Sequence, residues 1–287
     1  MKKFNLNLIL KFIKEIKNPV YPLLDFLFPN LIKKEYLIKI KNGPKFWIRP
    51  KRGSIVGDID ILIEIFIENQ YNLSEILRPD YNVLDIGGQA GFFSIFASRI
   101  IGSKGRVYTF EPFESNFNQL MKNMKLNKMG NIIAYDKAIV GGLETRADLF
   151  ISHQNVGAHS LLNRKDAKKI KVESTNLRKF FTEKKIRKID LLKIDCEGGE
   201  YEILSKTPKD ILKKIDTIIL EQHITSYTKK YSENFIINFL KSNSFSVKIL
   251  KEIYYEKEGK FYIILAQKIN NKENGPNSIR TRNSPNS

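Results

Sequence analysis

A chain of 287 residues with 42% hydrophobic content is long enough to bury a large core, which excludes a disordered or low-complexity protein. Its 49 Lys and Arg against 31 Asp and Glu give a formal charge of +18, which suits anionic partners, although the lysines are spread along the chain and read equally as a compositional bias. A single cysteine, Cys196, excludes an intramolecular disulfide, and no Cys and His cluster has zinc-ligand spacing, so a cytoplasmic protein without an essential metal is expected.

At the start of the chain, Phe4, Leu8, Phe12 and Ile16 fall at helical spacing, ahead of the Pro-broken piece "NPVYPLLDFLFPNLI". Lysines interrupt these apolar residues too often for a secretory core or a spanning helix. A basic amphipathic helix can lie weakly on an anionic membrane surface or pack on the protein's own core, and the sequence leaves both open. "EYLIKI" and "KFWIRP" read as short strands, and "DIDILIEIFIENQY" as a helix over 58–71 with Asp58 or Asp60 as its N-cap. Residues 1–71 thus form an expected helical and short-strand extension.

Residues 72–269 alternate differently. The apolar runs "NVLDI", "GRVYTF", "NIIAYD", "IDLLKID" and "DTIILE" suit strands buried on both faces, and helical segments near 90–101, 114–126 and 198–205 separate several of them. That pattern predicts right-handed crossovers and a doubly wound, mostly parallel α/β sheet of the Rossmann-like kind. An insertion carries two further strands, "ADLFIS" and "IKVEST". A helix near 231–243 precedes "FSVKIL" and "FYIILAQ", a closing hairpin around "KEG" that puts one antiparallel strand into the sheet. The tail, 270–287, has no apolar period and is expected to be disordered.

The turn "DIGGQAGFF" follows the first core strand. A dinucleotide loop needs glycine at its first, third and sixth positions, and counting from Gly87 or from Gly88 fails in both registers. What remains is Asp85, Gly87 and Gly91 in the spacing D-x-G-x-x-x-G, with Gly88 between them and a helix dipole pointing back at the loop. Glu111 ends the next strand, where its two oxygens could accept both hydroxyls of one ribose. One ribose and one amino-acid carboxylate without a diphosphate match S-adenosylmethionine. Asp136, ending the third strand, could meet the adenine amino group.

Three stretches, "WIRPKRGSIVGDIDILIEIFIENQY", "NVLDIGGQAGFFSIFAS" and "IDLLKIDCEGGEYEIL", make the chain resemble the FkbM-type S-adenosylmethionine-dependent methyltransferases from about Trp47 to Gln222. Gly88 and Gln89 stand where members usually carry Ala and Asn. The resemblance implies a class I methyltransferase core with strand order 3-2-1-4-5-7-6, and O-methyl transfer to a sugar or similar hydroxyl in many members.

Asp85, Glu111, Asp136, Asp195 and Glu221 all fall at or beside strand ends, where ligands of open parallel sheets bind. A sugar hydroxyl is scarcely ionised near neutral pH, so a base should take its proton, and Asp195, Glu197 and His223 are the candidates. Glu200 reads as a charge partner of a helix N-terminus, Lys193 as the partner of a nearby carboxylate, and Cys196 as a small filler. His153 and His159 lie in the insertion, which could cover the acceptor. A divalent metal beside Asp195 and Glu221 is conceivable but not expected. RNA, lipid and protein acceptors remain rivals to a saccharide or glycoconjugate. No base-stacking cluster of aromatic and basic residues argues for nucleic acid. A non-catalytic scaffold at a membrane surface is the alternative of another class.

Overall fold

The computed structural model describes residues 6–28, 30–52, 54, 56–152, 159–162, 167–255 and 259–269. The expected disordered tail, His153 and the tip of the "KEG" hairpin therefore lie outside the described residues.

The extension begins with helices α1 (Leu6–Glu15) and α2 (Val20–Leu27), followed by the antiparallel strands β1 (Tyr36–Lys39) and β2 (Lys45–Ile48). The stretch expected as one helix over 58–71 is instead α3 (Asp58–Leu62) running into a π-helical turn at Ile63–Ile67. Glu68 N–H donates to the Ile63 carbonyl at 2.9 Å, one residue further back than in an α-helix, and the extra residue re-aims the chain that follows. Neither Asp58 nor Asp60 is the N-cap. Gly57 holds that position, Asp60 accepts its backbone N–H at 2.8 Å, and the Asp58 carboxylate turns elsewhere. A short α4 (Leu73–Ile76) leads into the core.

The core alternates β3 (Asn82–Ile86), α5 (Phe92–Ile101), β4 (Arg106–Phe110), α6 (Glu114–Leu126) and β5 (Ile132–Tyr135). The insertion adds β6 (Ala138–Ile139), β7 (Arg146–Ile151) and β8 (Lys168–Thr175), a small sheet in the order β6-β8-β7. Then come α7 (Leu177–Glu183), β9 (Ile189–Ile194), α8 (Glu200–Lys206), α9 (Lys209–Leu212) and β10 (Ile215–Ile224), and finally α10 (Phe235–Ser242), β11 (Phe245–Tyr255) and β12 (Gly259–Lys268).

The main sheet has seven strands in the order β11-β12-β10-β9-β3-β4-β5, with β12 antiparallel to both neighbours and the β10-β9-β3-β4-β5 ladders all parallel. Numbered by core strand, this is the 3-2-1-4-5-7-6 order that the resemblance implies. β9 explains why such an order reads in sequence: every residue from Ile189 to Ile194 is buried, as a strand covered on both faces requires. Because the chain moves outward from β3 to β5 and returns to β9 on the other side, the sheet switches direction between β3 and β9. The cleft for ligands opens at the carboxyl ends of those strands.

Two apolar layers cover the sheet. On one face Phe92 and Ile95 of α5 and Leu120 of α6 share a cluster with Phe12, Ile16, Phe46, Ile59 and Leu62 of the extension. Phe46 meets Phe92 edge to face, ring centroids 5.0 Å apart. Each such fully buried side chain stabilises the fold by about 1.5–3 kcal/mol, enough to seat the extension on the core. On the other face lie Phe180 and Phe181 of α7, Tyr201 and Leu204 of α8, and Ile236 and Leu240 of α10. Among the described residues no helix is long and apolar enough to cross a membrane.

Candidate active site

The turn after β3 is shaped by its neighbours. Gly87 has φ +87°, and a Cβ there would stand 1.9 Å from the Asp195 carbonyl oxygen, so only glycine lets the turn press against the end of β9. Gly91 also has positive φ, +85°, and starts α5. A Cβ on Gly88 would meet the Thr109 hydroxyl at 2.3 Å. The glycines thus serve close packing within the protein and hold the loop open to a cofactor only indirectly. Asp85 is likewise internal: its carboxylate accepts Ser94 Oγ at 2.6 Å and Thr109 Oγ1 at 3.3 Å and pairs with Lys193 Nζ at 3.2 Å. Burial raises its pKa against the pull of Lys193. Asp85 has no exposed surface, and its contacts are all within the protein.

Glu111 follows β4 and is the carboxylate best set to meet the cofactor. One oxygen accepts the Gln89 N–H and the other the Phe113 N–H, both at 2.9 Å, and the Asn116 side chain also hydrogen-bonds this carboxylate. Burial pushes its pKa up to about 7 although both amides favour the ionised form. Gln89 itself is held from the extension, its Nε2 donating to Asp58 Oδ1 at 2.9 Å. Arg49 grips the same carboxylate, Nε to Oδ2 at 3.0 Å and an Nη to Oδ1 at 2.6 Å. Asp58 therefore ties the extension to the cofactor loop. Asp136 stands exposed after β5.

The second half of the site lies across the switch point. Asp195 follows β9, and the parallel ladder of β10 with β9 ends at Leu220 opposite Ile194, which brings Glu221 to the same sheet edge. Ligand-type atoms of Asp195, Glu221 and His223 all lie within 4.8 Å of one another. Lys193 joins the two halves: its Nζ donates to the Gly87 carbonyl at 2.7 Å, pairs with Asp85, and reaches Asp195 Oδ2 at 3.5 Å. Its burial works to discharge it, but Asp85 and Asp195 prevail and hold its pKa above the usual value.

His223 is only 2% exposed. Its Nδ1 faces Glu200 Oε1 at 3.1 Å, while Nε2 faces Glu197 Oε2 at 3.7 Å and Glu221 Oε2 at 3.9 Å. Burial opposes the charged ring, but Glu200 and Glu197 overcome it and raise the pKa well above the usual value. The surrounding carboxylates thus favour the imidazolium over the neutral base that the sequence suggests. Glu221 is also raised, by burial and then by Asp195. Two carboxylates and an imidazole could hold a divalent ion, at the cost of displacing the imidazolium proton.

Glu200 does more than face a helix N-terminus. It accepts the His223 N–H at 2.8 Å and the Gly198 N–H at 2.8 Å besides touching the ring, so it fixes both the imidazole and the "CEGG" turn. Glu197 has φ +55°, a left-handed conformation uncommon outside glycine and frequent at functional turns. The insertion holds this turn from above: Ser160 Oγ donates to the Glu197 carbonyl at 2.6 Å, and Leu162 packs where a Cβ on Gly198 would be. His159 lies tilted against Phe113, ring centroids 4.2 Å apart, and accepts the Ser152 N–H at 3.1 Å. Cys196 has its thiol pKa pushed up by burial and by Glu200, which makes it inert.

Two residues of this half escape sequence reasoning. Gln70 Nε2 donates to Glu221 Oε1 at 2.8 Å, and the buried Tyr71 hydroxyl reaches Asp195 Oδ2 at 3.4 Å. Both arrive from the segment just after the π-helical turn. The one feature that could have flagged them is "ENQYN", polar residues ending an otherwise apolar helix.

The match to known proteins agrees with this geometry. Residues 85–247, more than half of the chain, match the family described as methyltransferase FkbM domain. Methyltransferase 1 of Beauveria bassiana is 22% identical over 71% of this chain and 88% of its own length. The methyltransferase sdnD of Sordaria araneosa is 22% identical over 55% of this chain and 72% of its own. Among solved structures, TYW2 of P. horikoshii in complex with MeSAdo aligns with a TM-score of 0.46 and 14% identity, covering 83% of this chain and 73% of that one. The chain belongs to the FkbM methyltransferase family and is an S-adenosylmethionine-dependent methyltransferase.

Proposed function

We propose that the enzyme methylates a hydroxyl of a saccharide or glycoconjugate. One observation carries this reading: Asp195, Glu221 and His223 bring polar atoms within 4.8 Å of one another beside the cofactor loop, with no exposed cation among them. Lys193 and His223, the two positive groups, are 4% and 2% exposed, whereas Asp195 is 28% exposed. A hydroxyl-rich neutral acceptor finds hydrogen-bond acceptors at this mouth; the phosphates of RNA would meet carboxylates first.

When bound, S-adenosylmethionine supplies an electrophilic methyl group, and Glu111 with the Gln89 loop would hold its ribose. Asp195, the most exposed carboxylate of the cluster, takes the hydroxyl proton as the acceptor oxygen gains its methyl group. Tyr71 and Lys193, both directed at Oδ2, orient that carboxylate. The imidazolium of His223 fixes Glu197 and Glu221 around the acceptor. Alignment of oxygen, methyl carbon and sulfur then depends on the Gly87 turn and Asp195 staying in register. The proposal routes no step through a metal, so turnover should survive a chelator; loss of activity on chelation would instead place a divalent ion on Asp195, Glu221 and His223.

The test is transfer of radiolabelled methyl from S-adenosylmethionine to separated cell fractions. Label in a saccharide or glycoconjugate fraction that periodate or glycosidase treatment releases is expected. Label confined to RNA, protein or sugar-free lipid would refute the acceptor class while leaving the enzyme class untouched.

A further inference from the structure

We propose that the outward side of α1 and α2 docks the enzyme on an anionic lipid bilayer. The two helices have unlike sides. Phe12 and Ile16 of the first segment are buried in the core, and about 200° and 100° around the helix from Phe12, at about 100° per residue, Leu10 and Ile13 are exposed beside Lys11 and Lys14. The exposed apolar side chains continue with Val20 at 65% and Tyr21 where α2 begins, and with Leu27 and Phe28 at 57% where it ends. Scattered exposed apolar residues are ordinary, but here they concentrate in one short segment.

Charge selects the occupant. Lys11, Lys14, Lys17, Lys33 and Lys34 are all exposed around these apolar positions. The acidic residues of the same stretch do not cancel them: Asp25 is fully buried and accepts the Tyr36 hydroxyl at 2.9 Å, Glu15 is half-buried, and the exposed Glu35 beside Lys34 is paired with Lys122. A second copy of the chain would set lysines against lysines, so this surface repels itself. An anionic bilayer instead accepts the ammonium groups among its headgroups, and the apolar and aromatic side chains enter just below them. Neither helix can span, having 10 and 8 residues, so the attachment is to one surface and reversible. This inference is independent of the acceptor class.

Vesicle co-sedimentation of the full chain tests it, with phosphatidylcholine alone and phosphatidylcholine mixed with phosphatidylglycerol. Binding to the anionic vesicles that weakens with salt is expected, together with little binding to the neutral ones. Each lysine charge removed should weaken binding about fivefold, and reversal to glutamate should weaken it further by adding repulsion, so the triple variant Lys11→Glu, Lys14→Glu, Lys17→Glu should lose it. Leu10→Asp with Phe28→Asp should lower binding as well, and unchanged S-adenosylhomocysteine affinity in both variants would certify the fold. No binding of the wild type to anionic vesicles, or equal binding by the lysine variant, would overturn the proposal. So would a concentration-dependent dimer that the Leu10 and Phe28 substitutions disperse, because the face would then be a protein interface.

Discussion

The two halves of the cleft are built in opposite ways. On the cofactor side, between β3 and β5, Glu111 is held by neutral donors, two backbone amides and the Asn116 side chain. On the acceptor side, at the ends of β9 and β10, Asp195, Glu197, Glu200, Glu221, His223 and Lys193 form one network in which most charges touch an opposite charge. Backbone amides fix a hydrogen-bond acceptor in place, which suits recognition of a constant cofactor. A network of titratable groups can exchange protons, which suits chemistry on the acceptor. Lys193 stands between the two, bonded to the Gly87 carbonyl and Asp85 on one side and reaching Asp195 on the other.

Substitutions should separate the halves, and the largest expected effect is at the base. Asp195→Asn should lower turnover by about 10²–10⁴-fold while S-adenosylhomocysteine binds as before. If Asp195→Asn kept full turnover, the proton would leave by another route. Next in size, Glu111→Gln removes an ionised acceptor and should weaken S-adenosylhomocysteine by about 10–100-fold, as expected for hydrogen bonds to a charged group. Calorimetry reads this directly.

The pH dependence of that binding sharpens the assignment. Glu111 has a pKa raised to about 7 by burial, so in the free enzyme it is protonated below that pH and ionised above it. Ribose hydroxyls donate to the ionised form. Affinity for S-adenosylhomocysteine should therefore rise with pH through about 7 and then level off, and Glu111→Gln should flatten the curve. A wild-type curve with no slope between pH 6 and 8 would remove Glu111 from the ribose.

A smaller effect is expected at Glu200, a positioning residue that reaches the acceptor only through His223. Glu200→Gln keeps the shape but withdraws the nearest carboxylate from Nδ1, so the His223 pKa should fall toward the ordinary histidine value. NMR titration of the imidazole measures this, and a merely structural glutamate would leave it unmoved.

Legibility in the sequence follows the same division. β3 and β9 read almost to their ends because strands buried on both faces are continuous aliphatic runs, β4 and the edge strand β5 read from their apolar residues alone, and Glu111 and Asp195 follow from standing just past β4 and β9. Gln70 and Tyr71 did not read, because a π-helical turn that no residue pattern announces delivers them to partners more than a hundred residues away. Asp58 looked like a helix cap and is instead the clamp on Gln89, a choice that depends on Arg49 arriving from β2's end. The state of His223 was beyond reach for a similar reason: its protonation is set by Glu200 and Glu197, whose approach exists only in the folded chain.

The central claim is that cofactor recognition and proton removal belong to separate halves of one cleft. Titrating S-adenosylhomocysteine into Asp195→Asn and Glu111→Gln side by side tests it most directly. The account predicts affinity within about twofold of wild type for the first, a change too small to reflect a lost hydrogen bond, and at least about tenfold weaker affinity for the second. Loss of binding in Asp195→Asn, with Glu111→Gln unaffected, would contradict it.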